Sequence, residues 1–322
     1  PPPDGRTWQE QARTRSGFFT TSYSALKRAQ GGGFVSPVRS EGLGDGVPDD
    51  QLDSADVESG FAVDLMPVDP TSGEREASQS DAPLELSRGR ISGRFLHGLL
   101  EEVRLATLTE APTLAAWSAL PEIAALFERM RRRYDRPLSD VPVAQRLVHA
   151  ALTVEVPLGP SRLPGFAHAA RVLRELEFLY PIPEVGHRLL GLSGLADADD
   201  RKFHIGRGLI KGYIDLLFEH EGRVYLCDWK GDWLPGWSAA EVAAHVDVNY
   251  ALQAQLYTLG VLRFLGIESE ADFHARFGGV IYAFVRGMSA EQPGRGVHFV
   301  APTFNDVLVW QDQLLAREAI GA

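Results

Sequence analysis

Two aspartates and a lysine, Asp215, Asp228 and Lys230, lie in the stretch KGYIDLLFEHEGRVYLCDWKGDW from Lys211 to Trp233. Apolar runs at Tyr213 to Phe218 and Val224 to Cys227 flank the polar break His220-Glu221-Gly222, which is the pattern of a β-hairpin. With Glu221-Gly222 as the turn, His220 faces Arg223, and counting back along both strands Asp215 faces Asp228. Side chains directly across a ladder have Cβ atoms roughly 4.5–5.5 Å apart, where like charges repel unless a proton or cation sits between them. A divalent cation is the simplest neutraliser. Strand alternation puts Lys230 on the face of Asp228, with Cys227 and Trp229 on the other. Two acids and a lysine at the end of a hairpin can hold Mg²⁺, position a water and stabilise charge on a phosphate in transfer. The plainer alternative is an exposed hairpin in which Asp228 and Lys230 form a salt bridge, and a register slip of one residue would part the two acids.

The text around these residues resembles a known family. G-Y-I-D at 212–215 followed by D-W-K at 228–230 is similar to the signature of the PD-(D/E)xK nucleases. Four blocks resemble, in order, the branch at the C-terminal end of RecB, the helicase–nuclease subunit of RecBCD: GRFLHGLLE (93–101), KGYIDLLFEHEGRVYLCDWK (211–230), LQAQLYTLGVLRFL (252–265) and FGGVIYAFVRG (277–287). The resemblance implies an α/β fold, a restriction-endonuclease-like core with a central mixed β-sheet flanked by helices and a helical N-terminal portion. It implies that His97 joins Asp215 and Asp228 as a metal ligand and that Glu175 belongs to the acidic cluster. Gln253 and Tyr257, matching the family's Q-x-x-x-Y motif, are carried toward the centre. The implied cofactor is Mg²⁺, with Mn²⁺ as a replacement suited to the imidazole, and the Trp229 carbonyl completes the ligand set. The implied activity is hydrolysis of DNA strands delivered by a helicase, of the exodeoxyribonuclease V type, during double-strand-break processing. Implied partners are the RecB helicase domain in the same parent chain and RecC- and RecD-like subunits. This chain departs from the frequent D-Y-K-[ST]-N by reading Asp228-Trp229-Lys230-Gly231-Asp232, which removes the hydroxyl and the amide after the lysine.

On residue pattern alone these additions stay open. His97 lies near the first turn of an amphipathic segment from Gly93 to Thr109, where an isolated histidine is more often a packing or surface residue. Glu175 and Glu177 share one face of a strand expected over 174–184, so spacing does not choose between them. Gln253 and Tyr257 are i, i+4 neighbours on a helix expected from Val246 to Leu265. Trp233 and Trp237 are read as packing anchors, with base stacking as the alternative. The run Arg129, Arg131, Arg132, Arg133 is a solvated helix face or a phosphate track.

The elements that must position these residues set the rest of the reading. With 322 residues and 44% hydrophobic content the chain can bury a full core. Its single cysteine, Cys227, excludes a disulfide framework and a four-cysteine zinc or iron–sulfur site. No apolar run approaches membrane-spanning length and no G-x-x-x-x-G-K-[ST] motor motif is present, so a cytoplasmic, motorless chain is expected. The net charge of −11 is local: residues 41–85 hold thirteen acids and one base, leaving 30 acids against 31 bases elsewhere. A near-neutral body has little phosphate-neutralising capacity of its own, which favours delivery of the strand by a partner. We expect an entry segment at 1–30 with a strand, a cap at Thr21 or Ser22 and a helix; an acidic disordered linker at 31–90; and a nuclease domain at 91–322. Within that domain, 91–173 is the helical part and 174–322 the catalytic core. The opening PPPDGRTW is read as an excised fragment or a segment following a linker. Two other functions fit the pattern: a nuclease-dead module that binds DNA or a partner, and a free-standing defence nuclease.

Overall fold

The computed structural model describes residues 19–22, 85–182 and 208–315. Strand β1 (Phe19–Ser22) is followed by helices α1 (Arg90–Glu102), α2 (Ala106–Glu110), α3 (Leu114–Ser118), α4 (Pro121–Arg133) and α5 (Asp140–Thr153). A small hairpin, β2 (Val156–Leu158) and β3 (Ser161–Leu163), leads through a 3-10 turn at Phe166–His168 into β4 (Ala170–Ile182), β5 (Gly208–His220) and β6 (Arg223–Lys230). Then come α6 (Ala239–Asn249), α7 (Ala251–Leu265), α8 (Glu270–Arg276), β7 (Phe277–Phe284), β8 (Val297–Val300) and α9 (Phe304–Leu315).

The hairpin forms as its turn chemistry dictates. Glu221 and Gly222 take φ of 49° and 77°, the left-handed pair that a right-twisted two-residue hairpin needs. The register runs from His220 opposite Arg223 to Leu216 opposite Cys227. The sheet order is β1-β5-β6-β7-β8, with β4 pairing β5 on its other edge. Pairs β1–β5 and β6–β7 are parallel and the others antiparallel, so the sheet is mixed as expected.

One edge of β5 is shared. β1 takes residues 208–211 and β6 takes 216–220, leaving a fork at 212–215. The side-chain alternation slips at this fork: Ile214 and Leu217 pack in the layer under α6 and α7, while Leu216 and Phe218 pack in the layer under α1 to α5. Asp215 occupies the slip. Across it on β4, Glu175 adopts φ 47°, a left-handed backbone that is uncommon for a residue other than glycine.

Each sheet face has its own core. Phe95, Leu99, Trp117, Phe127 and Phe166 meet Phe218, Cys227, Trp229 and Ile281 on one side. Leu256, Leu259 and Val261 meet Leu226, Val280 and Tyr282 on the other. All are nearly or fully buried, and each such side chain contributes roughly 1.5–3 kcal/mol. Two glycines bring α7 close to the sheet. A Cβ on Gly212 or Gly260 would lie 2.5 or 2.7 Å from the Phe178 ring, so that ring fits only because both neighbours lack side chains.

Several boundaries differ from expectation. Residues 85–90 are part of the fold and not linker, since Leu86 is buried and its carbonyl is bonded by Arg286; residues 31–84 lie outside the described residues. Thr21 and Ser22 close β1, parallel to β5; the helix they are expected to cap lies outside the described residues. The expected 93–109 helix starts at Arg90 and breaks at Val103, whose ψ is 122°. Helical text at 166–173 gives way to β4 from Ala170, because pairing with the long β5 outweighs local propensity. The expected 246–265 helix begins only at Ala251, with Tyr250 as the joint from α6.

Candidate active site

Strand β6 delivers Asp228 and Lys230 to the face covered by α7, and helix α7 delivers Gln253 between them. All three are buried, at 4%, 6% and 1% exposure. Lys230 Nζ lies 2.7 Å from Asp228 Oδ2 and donates to Gln253 Oε1 at 3.0 Å, while Gln253 Nε2 donates to Asp228 Oδ1 at 2.8 Å. The amide thus closes a ring in the only orientation that serves a cation and an anion at once. The ammonium also sits 3.9 Å over the Tyr250 ring and 5.7 Å from the centroid of Tyr282. Tyr250 is fixed in turn: its hydroxyl donates to Asp232 Oδ2 at 2.5 Å, and His245 Nε2 lies 2.9 Å from the same oxygen.

Asp215 enters from the fork. At its level the β5–β6 ladder has stopped, and the Trp229 N–H donates instead to Asp215 Oδ2 at 2.7 Å. The carboxylate replaces a ladder carbonyl and is thereby held beside Asp228. His97 Nδ1 lies 3.7 Å from that same oxygen, with its side chain 35% exposed. Helix α1 can bring the imidazole this close because a Cβ on Gly231 would stand only 3.1 Å from Gly93 Cα. The glycine that departs from the family's usual hydroxyl residue therefore seats the helix that carries His97. Arg286 Nε donates to the Gly231 carbonyl at 2.8 Å and holds the same turn.

Burial pushes the Asp228 carboxyl up to about 7; Lys230 pulls it down, and the charge of Asp215 pushes it up further. Among the described residues no three His, Cys, Asp or Glu side chains converge as a finished metal cage. The donor chemistry nonetheless fits a divalent cation: a buried carboxyl resists ionising for want of more positive charge beside it, and a second carboxylate and an imidazole face the same space.

The structure separates the two glutamates. By register Glu175 stands across from Asp215, between the pairs Arg174–Leu216 and Leu176–Ile214. Glu177 accepts from the Tyr213 hydroxyl at 3.0 Å and lies 3.4 Å from Lys211 Nζ. Tyr257 is buried one turn after Gln253, edge-on to Phe178 at 5.2 Å, so its ring is part of the α7–sheet packing. Trp237 is half-buried against Phe284 and Gly287, a packing anchor, whereas Trp233 is 42% exposed. The arginine run is largely spent on carboxylates: Arg131 and Arg132 bond Glu128, and Arg129 bonds Glu102.

Sequence reasoning missed Tyr250, Tyr282, Asp232 and Arg286. Asp232 continues the alternation of Asp228 and Lys230, and Tyr250 stands three residues before Gln253 at helical spacing; both signals were present but carry no weight until α7 is known to cover β6.

The model of the PD-(D/E)XK nuclease superfamily matches residues 74–318. The chain belongs to this nuclease superfamily. Within the superfamily it is RecB-like. It is 31% identical over 275 residues to RecBCD enzyme subunit RecB of Escherichia coli K12, covering 80% of this chain and 22% of that protein. The Haemophilus influenzae RecB is 26% identical across 68% of this chain and 18% of its own length, and the Mycobacterium tuberculosis H37Rv RecB 30% across 63% and 21%. The chain thus spans about a fifth of the length of these three relatives.

Replacing Gln253 with Leu, close in size and without the amide, is expected to lower nuclease activity about 10–100-fold and to weaken cation binding, since a group that orients ligands is removed. Cleavage rates and Mn²⁺ titration of the variant against the parent check this.

Proposed function

We propose that the chain is a Mg²⁺-dependent deoxyribonuclease that hydrolyses DNA strands fed to it by a helicase, in double-strand-break processing and recombinational repair. The observation that carries this reading is the buried Asp228–Lys230–Gln253 ring set beside Asp215 at the strand fork. Asp215, Asp228 and His97 would hold the cation, with the Trp229 carbonyl and Glu175 beside them. The cation supplies Lewis acidity toward the phosphate and acidifies a water. Lys230, held against Asp228 and over the Tyr250 ring, stabilises the charge that develops on the phosphoryl oxygens. Gln253 keeps that ammonium from turning wholly toward Asp228. Water adds at phosphorus as the P–O3′ bond breaks, and a 5′-phosphate and a 3′-hydroxyl leave.

RecB of E. coli is named as a subunit of the RecBCD enzyme. We extend to this chain a helicase domain in the same parent protein, RecC- and RecD-like partners, exodeoxyribonuclease V activity and a cytoplasmic location. The near-neutral body of the chain supports delivery by partners. No helix among the described residues is long and apolar enough to cross a membrane. Purified chain incubated with linear single-stranded DNA and Mg²⁺, beside Asp228→Asn, tests the reading. Mononucleotides or short oligonucleotides from the parent alone support it, and equal inertness of the two proteins removes it.

A further inference from the structure

We propose that Arg88 and Trp233 form a stacking subsite for one base of a single DNA strand, next to the phosphate at the Asp215–Asp228 centre; this rests on the nuclease reading above. The Arg88 guanidinium carbon lies 3.6 Å from the Trp233 ring centroid, a stacked cation–π contact. Even so, 42% of Trp233 faces solvent. Its neighbours are anchored: Leu234 and Leu86 are 4% and 2% exposed, so the exposed pair projects from two fixed stems.

One guanidinium joins the stems. Arg286 donates from Nε to the Gly231 carbonyl at 2.8 Å, from Nη1 to Leu86 O at 2.9 Å and from Nη2 to Ser87 O at 2.9 Å. The platform is thus held before any ligand arrives, which lowers the entropy cost of binding. Trp233 follows Lys230 by three residues, a span of at most roughly 11 Å, so its indole is within reach of a base that flanks the phosphate at the lysine. Arg88 and Arg90 have no carboxylate partner among the described residues, unlike Arg129, Arg131 and Arg132. Arg90 opens the helix that carries His97.

An indole backed by a guanidinium fits the π-face of any base, and the arginines fit the phosphates. That chemistry takes single-stranded nucleic acid with little sequence preference, because paired bases in a duplex do not present their faces. The 322-residue chain is tested with Ca²⁺ replacing Mg²⁺, reading fluorescence anisotropy of a labelled oligothymidylate of about 12 nucleotides and of an abasic strand of the same length. Trp233→Leu is expected to weaken oligothymidylate binding about tenfold and to leave abasic binding unchanged. Trp233→Phe, which keeps a ring, stays within about threefold of the parent. Arg88→Ala, a surface change that leaves the cores intact, weakens oligothymidylate binding at least about threefold. Parent-like oligothymidylate affinity in either Trp233→Leu or Arg88→Ala overturns the proposal, as does an equal loss on the abasic strand. Hydrolysis is read separately in Mg²⁺: a parent that binds through Trp233 and does not cut loses the nuclease reading alone, and one that cuts while binding ignores Trp233 loses the subsite alone.

Discussion

Asp228→Asn is expected to lower cleavage of linear single-stranded DNA at least about 10³-fold while the chain still folds. Several kcal/mol of transition-state charge stabilisation depend on the cation, and each 1.36 kcal/mol is tenfold in rate. The substitution keeps the shape of the side chain but removes the charge that a cation needs, and an amide cannot serve Lys230 and Gln253 together. If its oxygen faces the ammonium, its NH₂ meets the Gln253 NH₂; turned round, it meets the ammonium. Stability moves less than activity, because two effects oppose each other. The buried Lys230 ammonium loses its counter-charge, a loss of about 3–5 kcal/mol for a broken buried pair. The Asp228 carboxylate, however, is itself costly. Its folded value is about 7 against an ordinary value of 3.8, so in the parent this group withdraws stability as pH rises between those values, and the full cost is present above about 7. Thermal melts of the cation-free proteins at pH 6 and pH 8 should therefore show the variant's deficit shrinking at the higher pH. Retained cleavage by Asp228→Asn would sink the assignment.

Much of this centre could be read from the chain because it is local. Glu221-Gly222 fixes the hairpin register, and with it the shared face of Asp228 and Lys230; the ladder ends at Leu216 opposite Cys227, so Asp215 is not paired across from Asp228 as expected and is tied to β6 through the Trp229 N–H instead. Helical spacing then places Gln253 and Tyr257 on one side of α7. The strand fork was not legible. It arises because β1, some 190 residues earlier in the chain, takes the edge of β5 that β6 leaves vacant. Nothing in the text of Gly212 to Asp215 announces that partner.

The errors share this origin. At 166–173 the local text favours helix, and β4 forms there because β5 is long enough to pair with it. Glu175 and Glu177 are equivalent by alternation; they part only through Lys211 and Tyr213, which claim Glu177 from the neighbouring strand. Gly231 looked like the loss of a hydroxyl, and it proves to be the contact that lets α1 approach. In each case a partner distant in sequence decides between choices that the local pattern leaves equal.

Lys230→Met separates the two parts that the lysine plays. Methionine replaces most of the stem's volume, so the α7–sheet packing should survive. The ammonium is lost. Without it, developing charge on the phosphate goes unanswered, and kcat is expected to fall about 10²–10³-fold at pH 8. The second consequence concerns protons. Burial holds Asp228 near 7 in the parent even with Lys230 drawing it down, so removing that pull moves the carboxyl higher still. A cation binds the ionised form, so in the parent its affinity should fall about tenfold per pH unit below about 7 and level off above. In Lys230→Met the whole curve shifts to higher pH. Mn²⁺ titrations from pH 6 to 9 read the midpoint directly, and residual cleavage should follow it. A midpoint that stays with the parent, or moves toward acid, contradicts the coupling and leaves the lysine with its role at the phosphate alone.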